Sequence, residues 1–180
     1  MISANNIIKM SSVKYQKLSH REHVYARPGM YVGSINSTPL ENVWVGVIDN
    51  NTVKYENKKT VNYNAGLVKI FDEILMNAVD QSRRPDTNVK NIKIDIDDKM
   101  ITVMNDGLGI SSEIHDESGI HIPELIFGHL LTSSNYDDDE KKMIAGQNGI
   151  GAKATNVLSK YFEIETVHDG KIYKQIFRDN

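Results

Sequence analysis

The sequence predicts an α+β domain in which helices cover one face of a mixed, mostly antiparallel sheet. Segments with a helical period of apolar residues stand beside short runs in which apolar and polar residues alternate, as strands require. The strand runs are joined in pairs by tight turns, so strict βαβ alternation is absent. The mixed order, the paired strands and the helices between the pairs favour this class.

The composition is that of one ordinary globular domain. The chain has 180 residues, 39% of them apolar and 25% charged, with a formal net charge of −3. A surface built mainly to grip nucleic acid normally carries a basic excess, which this chain lacks. Because there is no cysteine, disulfides, thiolate metal sites and cysteine catalysis are excluded. No apolar run approaches the roughly 18–20 residues of a membrane span, so we expect an intracellular protein with no membrane partner.

The N-terminal part predicts an arm followed by a short helix. Residues 1–18 are polar with little periodicity, and we expect an arm that is flexible or docks on a partner. The segment from Ser19 to Glu22 fits a capping box, which predicts the start of a helix. Arg27-Pro28-Gly29 ends that helix, and Met30 to Ser34 is expected to be extended.

The next part of the chain predicts a hairpin and then the clearest helix. Two strand runs, Trp44 to Ile48 and Thr52 to Tyr55, flank the turn residues Asp49-Asn50-Asn51. From about Gly66 to Arg84, apolar and polar residues fall on opposite sides at 100° per residue. The apolar face holds Leu67, Val68, Phe71, Ile74, Leu75, Ala78 and Val79, and the polar face holds Lys69, Glu73, Asn77, Asp80, Gln81 and Arg84.

The C-terminal half predicts two further hairpins and two helices. Alternating isoleucines from Ile92 to Ile96 precede a turn and a return strand from Met100 to Met104. Pro123 suits the first position of a helix through Leu131, and a polar loop follows from Thr132 to Lys142. A glycine run then opens a helix to about Lys160. The last hairpin is predicted at Tyr161 to Val167 and Lys171 to Phe177, around an Asp169-Gly170 turn.

A phosphate loop at the start of a helix is predicted by the run Ala145-Gly146-Gln147-Asn148-Gly149-Ile150-Gly151-Ala152-Lys153. Glycines let backbone N–H groups close around phosphate oxygens, and the positive end of a helix dipole favours the anion. The run fits neither the Walker loop nor the G-x-G-x-x-G pattern, because its glycines and lysine are spaced differently. A tight turn before a glycine-softened helix start is the alternative.

A wall for a nucleotide base is predicted by Asn105-Asp106-Gly107-Leu108-Gly109-Ile110, directly after a strand. The amide or carboxylate at the strand end can bind a base, and the two glycines let a flat ring approach the backbone. A plain Asn-Asp-Gly turn is the alternative.

A carboxylate and a carboxamide lie four residues apart, at Glu73 and Asn77, on the polar face of the long helix. Asn77 can supply a neutral oxygen to Mg²⁺, and Glu73 can orient and deprotonate a water molecule. A hard cation keeps phosphate oxygens and waters as ligands, so one amide oxygen is chemically sufficient. A solvated helix face is the alternative.

Taken in order, these segments resemble the ATP-binding region of type II DNA topoisomerases, within the superfamily of gyrase, Hsp90, histidine kinases and MutL. The resemblance is closer to the eukaryotic type than to bacterial gyrase, and it spans about Tyr15 to the C-terminus. Besides the glycine run, it is carried by Arg27-Pro28-Gly29-Met30-Tyr31-Val32-Gly33-Ser34, Phe71-Asp72-Glu73-Ile74-Leu75-Met76-Asn77-Ala78, Leu125-Ile126-Phe127-Gly128 and the segment from Leu130 to Lys142.

The resemblance implies a two-layer α+β sandwich with ATP between the helices and a lid, and a role for each matching residue. Glu73 resembles the residue that activates the hydrolytic water, and Asn77 the residue that holds Mg²⁺. Asn105 resembles the adenine-binding residue, beside the motif glycines Gly107 and Gly109. The implied ribose and phosphate contacts are Ser133, Ser134 and Asn135, and the implied triphosphate loop is Gly146, Gln147, Asn148, Gly149, Ile150, Gly151, Ala152 and Lys153. Ala145 departs from the family, which usually has another glycine there.

The resemblance further implies the ATPase gate of a DNA topoisomerase II of eukaryotic or viral type, with ATP and Mg²⁺ as cofactors. The full enzyme would form a homodimer through this gate and pass one DNA duplex through another, in the nucleus, or in a host cell or virion if viral. Residues 19–180 would be an ATP-binding domain that is incomplete, because the transducer lysine and the DNA-cleavage domains do not follow. A truncated nucleotide-binding or dimerisation module without its own turnover is the alternative. A chaperone or mismatch-repair relative is a third.

Overall fold

A computed structural model describes residues 15–129 and 149–179, and these form an α+β fold of the predicted class. The helices within them are α1 (His20–Ala26), α2 (Gly29–Val32), α3 (Ala65–Arg83), α4 (Ile122–Gly128) and α5 (Gly151–Leu158). The strands within them are β1 (Thr38–Asp49), β2 (Thr52–Tyr63), β3 (Ile92–Ile96), β4 (Ile101–Asn105), β5 (Tyr161–His168) and β6 (Lys171–Arg178).

The described strands pair as three antiparallel hairpins, β1–β2, β3–β4 and β5–β6. All three were predicted, although the first is much longer than the alternation of apolar residues indicated. Asn50 and Asn51 in its turn have φ angles of 47° and 62°, a left-handed geometry that asparagine tolerates and that suits the twist of a hairpin. The segment after β4 is joined to β5 by the Gly109 N–H, which donates to the Val167 carbonyl at 3.1 Å.

Helix α4 covers one face of the β5–β6 hairpin. The ring of Phe127 lies 6.1 Å from that of Phe162, and Gly128 lies close to the ring of Phe177. The opposite face of the hairpin carries the paired residues Val167 and Ile172, both of which are exposed. This one-sided coverage is the layer arrangement that the sequence predicted.

The main apolar cluster lies where α1, α2, α3 and α5 meet. Val24 is fully buried, and Val32, Ala154 and Val157 are nearly so. Ile70 of α3 packs against this cluster. Because the cluster includes residues of α5 and contacts Ile70 of α3, it joins these two helices, which carry the candidate site.

Hairpin β1–β2 presents an apolar face to solvent. Its register pairs Gly46 with Tyr55 and Ile48 with Val53, which places the side chains of Ile48, Val53 and Tyr55 on the same side as Trp44. Trp44 is 68% exposed, and Ile48 and Tyr55 are exposed as well.

Helix α1 begins as predicted. The Ser19 side chain accepts from the Glu22 N–H, and the Glu22 carboxylate accepts from the Ser19 N–H at 2.8 Å, which completes the capping box. The expectation of an extended segment from Met30 to Ser34 was wrong, because α2 is a helical turn there. The turn buries Val32 in the core. This tertiary packing outweighs the local sequence, which favours an extended backbone.

Two further details of the helices differ from the prediction. Helix α4 ends at Gly128 and not at Leu131, because His129 is already extended. On α3, Leu67 and Val68 are about half exposed although they were placed on the apolar face, whereas Asp80, placed on the polar face, is buried. Ala78 of the predicted apolar face is buried as expected, and Asp80, which points to a different side of α3, is buried as well.

Some predictions fall outside the described residues. These are most of the N-terminal arm and the polar loop from Thr132 to Lys142. None of the helices that the structure describes is both long enough and apolar enough to cross a bilayer.

Candidate functional site

The carboxylate of Glu73 on α3 is the centre of the candidate site. Its Oε1 atom forms an ion pair with the ammonium of Lys69, one turn earlier on the same helix. On the other side, the carboxylate occupies the space that a Cβ at Gly151 would fill. Such a Cβ would lie 2.9 Å from Cγ of Glu73 and closer still to the carboxylate itself. The structure thus brings together the predicted carboxylate and the end of the glycine run.

The glycine run leads directly into α5, as predicted. Gly149 has a φ of 58°, a conformation that glycine adopts without strain, and the helix begins two residues later at Gly151. The N-cap residue is Ile150, whose side chain has no atom that can accept a hydrogen bond from the first turn. The first N–H groups of α5 therefore suit an outside acceptor such as a phosphate.

Buried polar side chains fix the position of α5. Thr155 Oγ1 lies 3.1 Å from the carbonyl of Ile70 on α3 and 3.0 Å from the carbonyl of Gly151. Asn156 donates from Nδ2 to the carbonyl of Phe127 on α4 at 3.0 Å. Because buried polar groups are costly to leave unpaired, these bonds restrict where the start of α5 can lie relative to Glu73.

Lys153, the last residue of the predicted phosphate loop, is buried in the first turn of α5. Only 3% of the residue is exposed, and this burial lowers the pKa of its ammonium to about 8. An anion bound at the start of α5 would oppose this effect, because a nearby negative charge favours the charged form.

Asn77 lies on α3 one turn after Glu73 and is exposed. Residues four apart share one side of a helix, so Lys69, Glu73, Asn77 and Gln81 form a polar stripe along α3. We call these four residues the α3 stripe. Lys69, at the start of the stripe, pairs with Glu73. Gln81, at its end, is hydrogen-bonded to the segment after β4.

Gln81 was not predicted as a functional residue. Its Nε2 donates to the carbonyl of Leu108 at 2.9 Å, which ties the Asn105–Ile110 segment to the end of the α3 stripe. The four-residue spacing from Asn77 was the available signal in the sequence.

Asn105, the last residue of β4, and Asp106, which follows it, make different contacts. Asn105 is half-buried, and its Oδ1 accepts from the Gly107 N–H at 3.3 Å. The Asp106 carboxylate accepts from the backbone and side chain of Asn91 and from the Lys90 N–H at 2.8–2.9 Å. These bonds lower the pKa of Asp106 to about 2, with the Asn91 N–H as the largest contribution. Asp106 therefore anchors a turn, and both Asn105 and Asp106 line a cavity of about 550 Å³ together with Gly107.

Gly107 and Gly109 are closely packed against other parts of the chain. A Cβ at Gly107 would lie 2.6 Å from the carbonyl oxygen of Thr87, and one at Gly109 would lie 2.8 Å from the Val167 nitrogen. The sequence predicted that these glycines admit a flat ring. The contacts show that packing of the chain already requires glycine at both positions.

Part of the predicted site lies outside the described residues, namely Ser133, Ser134, Asn135, Gly146, Gln147 and Asn148. Among the described ones, Glu73 and Gly151 lie at the α3–α5 contact. Gly149, Ile150, Ala152 and Lys153 are neighbours of Gly151 in the chain. Asn105, Gly107 and Gly109 lie in the segment held by Gln81.

A family comparison matches most of this region. Residues 62–174 match the model of the histidine kinase-, DNA gyrase B- and HSP90-like ATPases. The matched range includes α3, the segment after β4 and α5.

Two curated relatives named DNA topoisomerase 2 are similar over nearly the whole chain. The protein from Candida albicans is 49% identical over 174 residues, which is 94% of this chain and 12% of the relative. The protein from Arabidopsis thaliana is 48% identical over 171 residues, which is 92% of this chain and 11% of the relative. The chain thus spans about one eighth of the length of these relatives.

Two solved structures are similar in fold. The ATPase region of Saccharomyces cerevisiae topoisomerase II gives a TM-score of 0.82 at 44% identity, covering 93% of this chain and 44% of that one. The ATPase and transducer domains of DNA topoisomerase II from Balamuthia mandrillaris give 0.82 at 45% identity, covering 93% and 42%.

Proposed function

This chain belongs to the family of histidine kinase-, DNA gyrase B- and HSP90-like ATPases, and we propose that it binds ATP and takes part in its hydrolysis. The observation that carries the proposal is the contact between Glu73 and Gly151. It places a carboxylate beside a helix start that suits a phosphate, so a base and an anion site adjoin each other.

We assign one role to each part of the site. The start of α5, from Gly149 to Lys153, together with Gly146, Gln147 and Asn148, holds the phosphates through backbone N–H groups. Asn105 binds the adenine, in a segment shaped by Gly107 and Gly109. Ser133, Ser134 and Asn135 contact the ribose and phosphates. Glu73 accepts a proton from the attacking water.

Asn77 would hold Mg²⁺ through its amide oxygen. The residue fits this role because it is exposed on the α3 stripe, one turn from Glu73. An amide oxygen is a ligand that this hard cation accepts beside phosphate oxygens and waters. When bound, the ion would neutralise charge on the phosphates.

The function of the whole protein is proposed from its relatives. Both curated relatives are named DNA topoisomerase 2, so we propose that this chain is the ATP-operated gate of such an enzyme. Two gates would close as a homodimer around ATP, and double-stranded DNA would be the substrate of strand passage. Such an enzyme acts where DNA is, inside a cell, in the nucleus of a eukaryote, or in a host cell or virion.

The structural similarity supports the gate assignment, because the matched structures are themselves ATPase regions of topoisomerase II. A module that binds nucleotide or dimerises without its own turnover is the second candidate. Phosphate release from this chain, alone and with a supplied C-terminal partner, distinguishes the two candidates.

Calorimetry and turnover test the proposal. A non-hydrolysable ATP analogue titrated into this chain in the presence of Mg²⁺ should give a saturable heat. In the natural protein, Glu73→Ala should abolish ATP turnover but retain analogue binding. Glu165→Ala is the matched control, because it removes an exposed carboxylate on β5, away from the α3–α5 contact. Normal turnover by the Glu73→Ala variant would contradict the assigned base.

A further inference from the structure

The Glu73 carboxylate is held from two sides. The ammonium of Lys69 pairs with Oε1, and the Gly151 backbone lies against the rest of the carboxylate. The backbone position of Gly151 is itself restricted by Thr155. Of the two supports, Lys69 is the one that a side chain supplies, so it can be substituted without changing the sequence of the glycine run.

We propose that Lys69 is a positioning residue, which holds the Glu73 carboxylate against the start of α5 in the orientation that accepts a proton from water. This inference rests on the proposed function. Lys69 and Glu73 are four residues apart on α3, so the helix keeps their side chains adjacent. The carboxylate raises the pKa of the Lys69 ammonium, chiefly through their hydrogen bond, so Lys69 keeps its charge at neutral pH.

The exposure of the pair argues for orientation and against a role in stability. The Lys69 side chain is 45% exposed and that of Glu73 is 29% exposed. Ion pairs in contact with solvent contribute little to folding, because both ions are hydrated when separated. Restricting one carboxylate to one orientation, in contrast, affects a reaction that requires that geometry.

Asp72 lies on the other side of Lys69, with its Oδ2 atom 4.0 Å from the ammonium nitrogen. The ammonium therefore has a second anion close by, but its shorter contact is to Glu73. Lys69 and Asp72 also line a cavity of about 390 Å³ with Tyr31 and Val68. The ammonium thus stands between this cavity and the Glu73 carboxylate.

Kinetics of Lys69→Met and Lys69→Arg in the natural protein test the inference. Lys69→Met keeps the length and apolar stem of the side chain but removes the charge. We expect kcat for ATP to fall roughly tenfold or more, with KM within about twofold and the melting temperature unchanged. Lys69→Arg should restore most of kcat, because it keeps the charge and the reach. Lys93→Met is the control, since Lys93 forms a comparable exposed pair with Asp95 at 3.0 Å on β3.

Two results would overturn the inference. A Lys69→Met enzyme with kcat within twofold of the natural protein would show that the pair does not orient the base. A rise in KM with unchanged kcat would show that Lys69 binds the nucleotide instead. A natural protein that bound no ATP analogue would refute the proposed function itself.

A measurement without nucleotide tests the ion pair separately. NMR titration of the Lys69 ammonium in this chain should give a pKa above that of an ordinary lysine, and Glu73→Gln should bring it down. An unchanged Lys69 pKa in the Glu73→Gln variant would refute the pair, even in a protein that hydrolyses ATP.

Discussion

A single added methyl group at Gly151 should separate binding from turnover. The Cβ of a Gly151→Ala variant would lie 2.9 Å from Cγ of Glu73 and closer to the carboxylate. Non-bonded heavy atoms settle at about 3.5–4.0 Å, so the carboxylate has to move by about 1 Å or more. The Glu73 side chain is flexible and borders solvent, so it can move while α3 and α5 keep their places.

The expected effect follows from that displacement. A misplacement of ~1 Å in a reacting group lowers the rate roughly 100-fold. The backbone N–H groups at the start of α5 stay where they are, because alanine is the better helix former. We therefore expect kcat for ATP to fall about 100-fold, while the Kd of a non-hydrolysable analogue changes by less than about fivefold.

Steady-state turnover and calorimetry on the natural protein measure the two quantities. Gly29→Ala is the matched control, because no atom lies within 4 Å of the Cβ that it adds. Turnover of Gly151→Ala within threefold of the natural protein would refute the reasoning. A large loss of analogue affinity with normal kcat at saturation would refute it as well, because Gly151 would then act only on binding.

Three further predictions concern stability, measured by urea unfolding and followed by circular dichroism. Lys153→Met should raise the free energy of unfolding at pH 7, because it removes a buried charge. The lowering of the Lys153 pKa from 10.5 to about 8 corresponds to a cost of up to about 3 kcal/mol for burying this charge. As the pH rises, Lys153 loses its proton near pH 8 in the folded chain and near pH 10.5 in the unfolded chain. The natural protein should therefore gain stability between pH 8 and 10.5, and the variant should not. For Asp106, whose pKa is lowered to about 2, the contribution is present above pH 4 and is lost as the pH falls toward 2. Asp106→Asn should therefore be less stable at pH 7 and show a flatter dependence between pH 4 and 2. Gly109→Ala should cost about 1–3 kcal/mol, because its Cβ would overlap the backbone of Val167, and an unchanged midpoint would contradict this.

The helices and hairpins could be predicted because their signals are local. The Ser19–Glu22 capping box and the Asp169-Gly170 turn each involve a few neighbouring residues. The α2 turn could not be predicted, because it depends on the burial of Val32 among side chains from other helices. The burial of Asp80 is equally a property of tertiary packing, since its position in the helical period is polar.

The sequence predicted which residues form the candidate site, but it did not predict the contacts between them. Glu73 and Gly151 were singled out by chemistry, yet their direct contact depends on how α5 packs on α3. The Lys69 pair and the Gln81 bond continue a four-residue spacing that the sequence displays. The sequence does not indicate which residues of the α3 stripe form contacts within the protein and which are available to a ligand. The glycines after β4 show the same limit, since their tight packing involves residues far along the chain.

The exposed apolar face of β1–β2 carries an intrinsic fluorophore, Trp44, which can report on changes at this face. Trp44 is the single tryptophan of the sequence and is 68% exposed in the fold. Its emission in the native state should already resemble that of a solvated indole, so unfolding will change its wavelength little. A blue shift would instead show that Trp44 has become shielded from water by another part of the protein or by a second molecule. This shift can be recorded during ATP titration without any added dye.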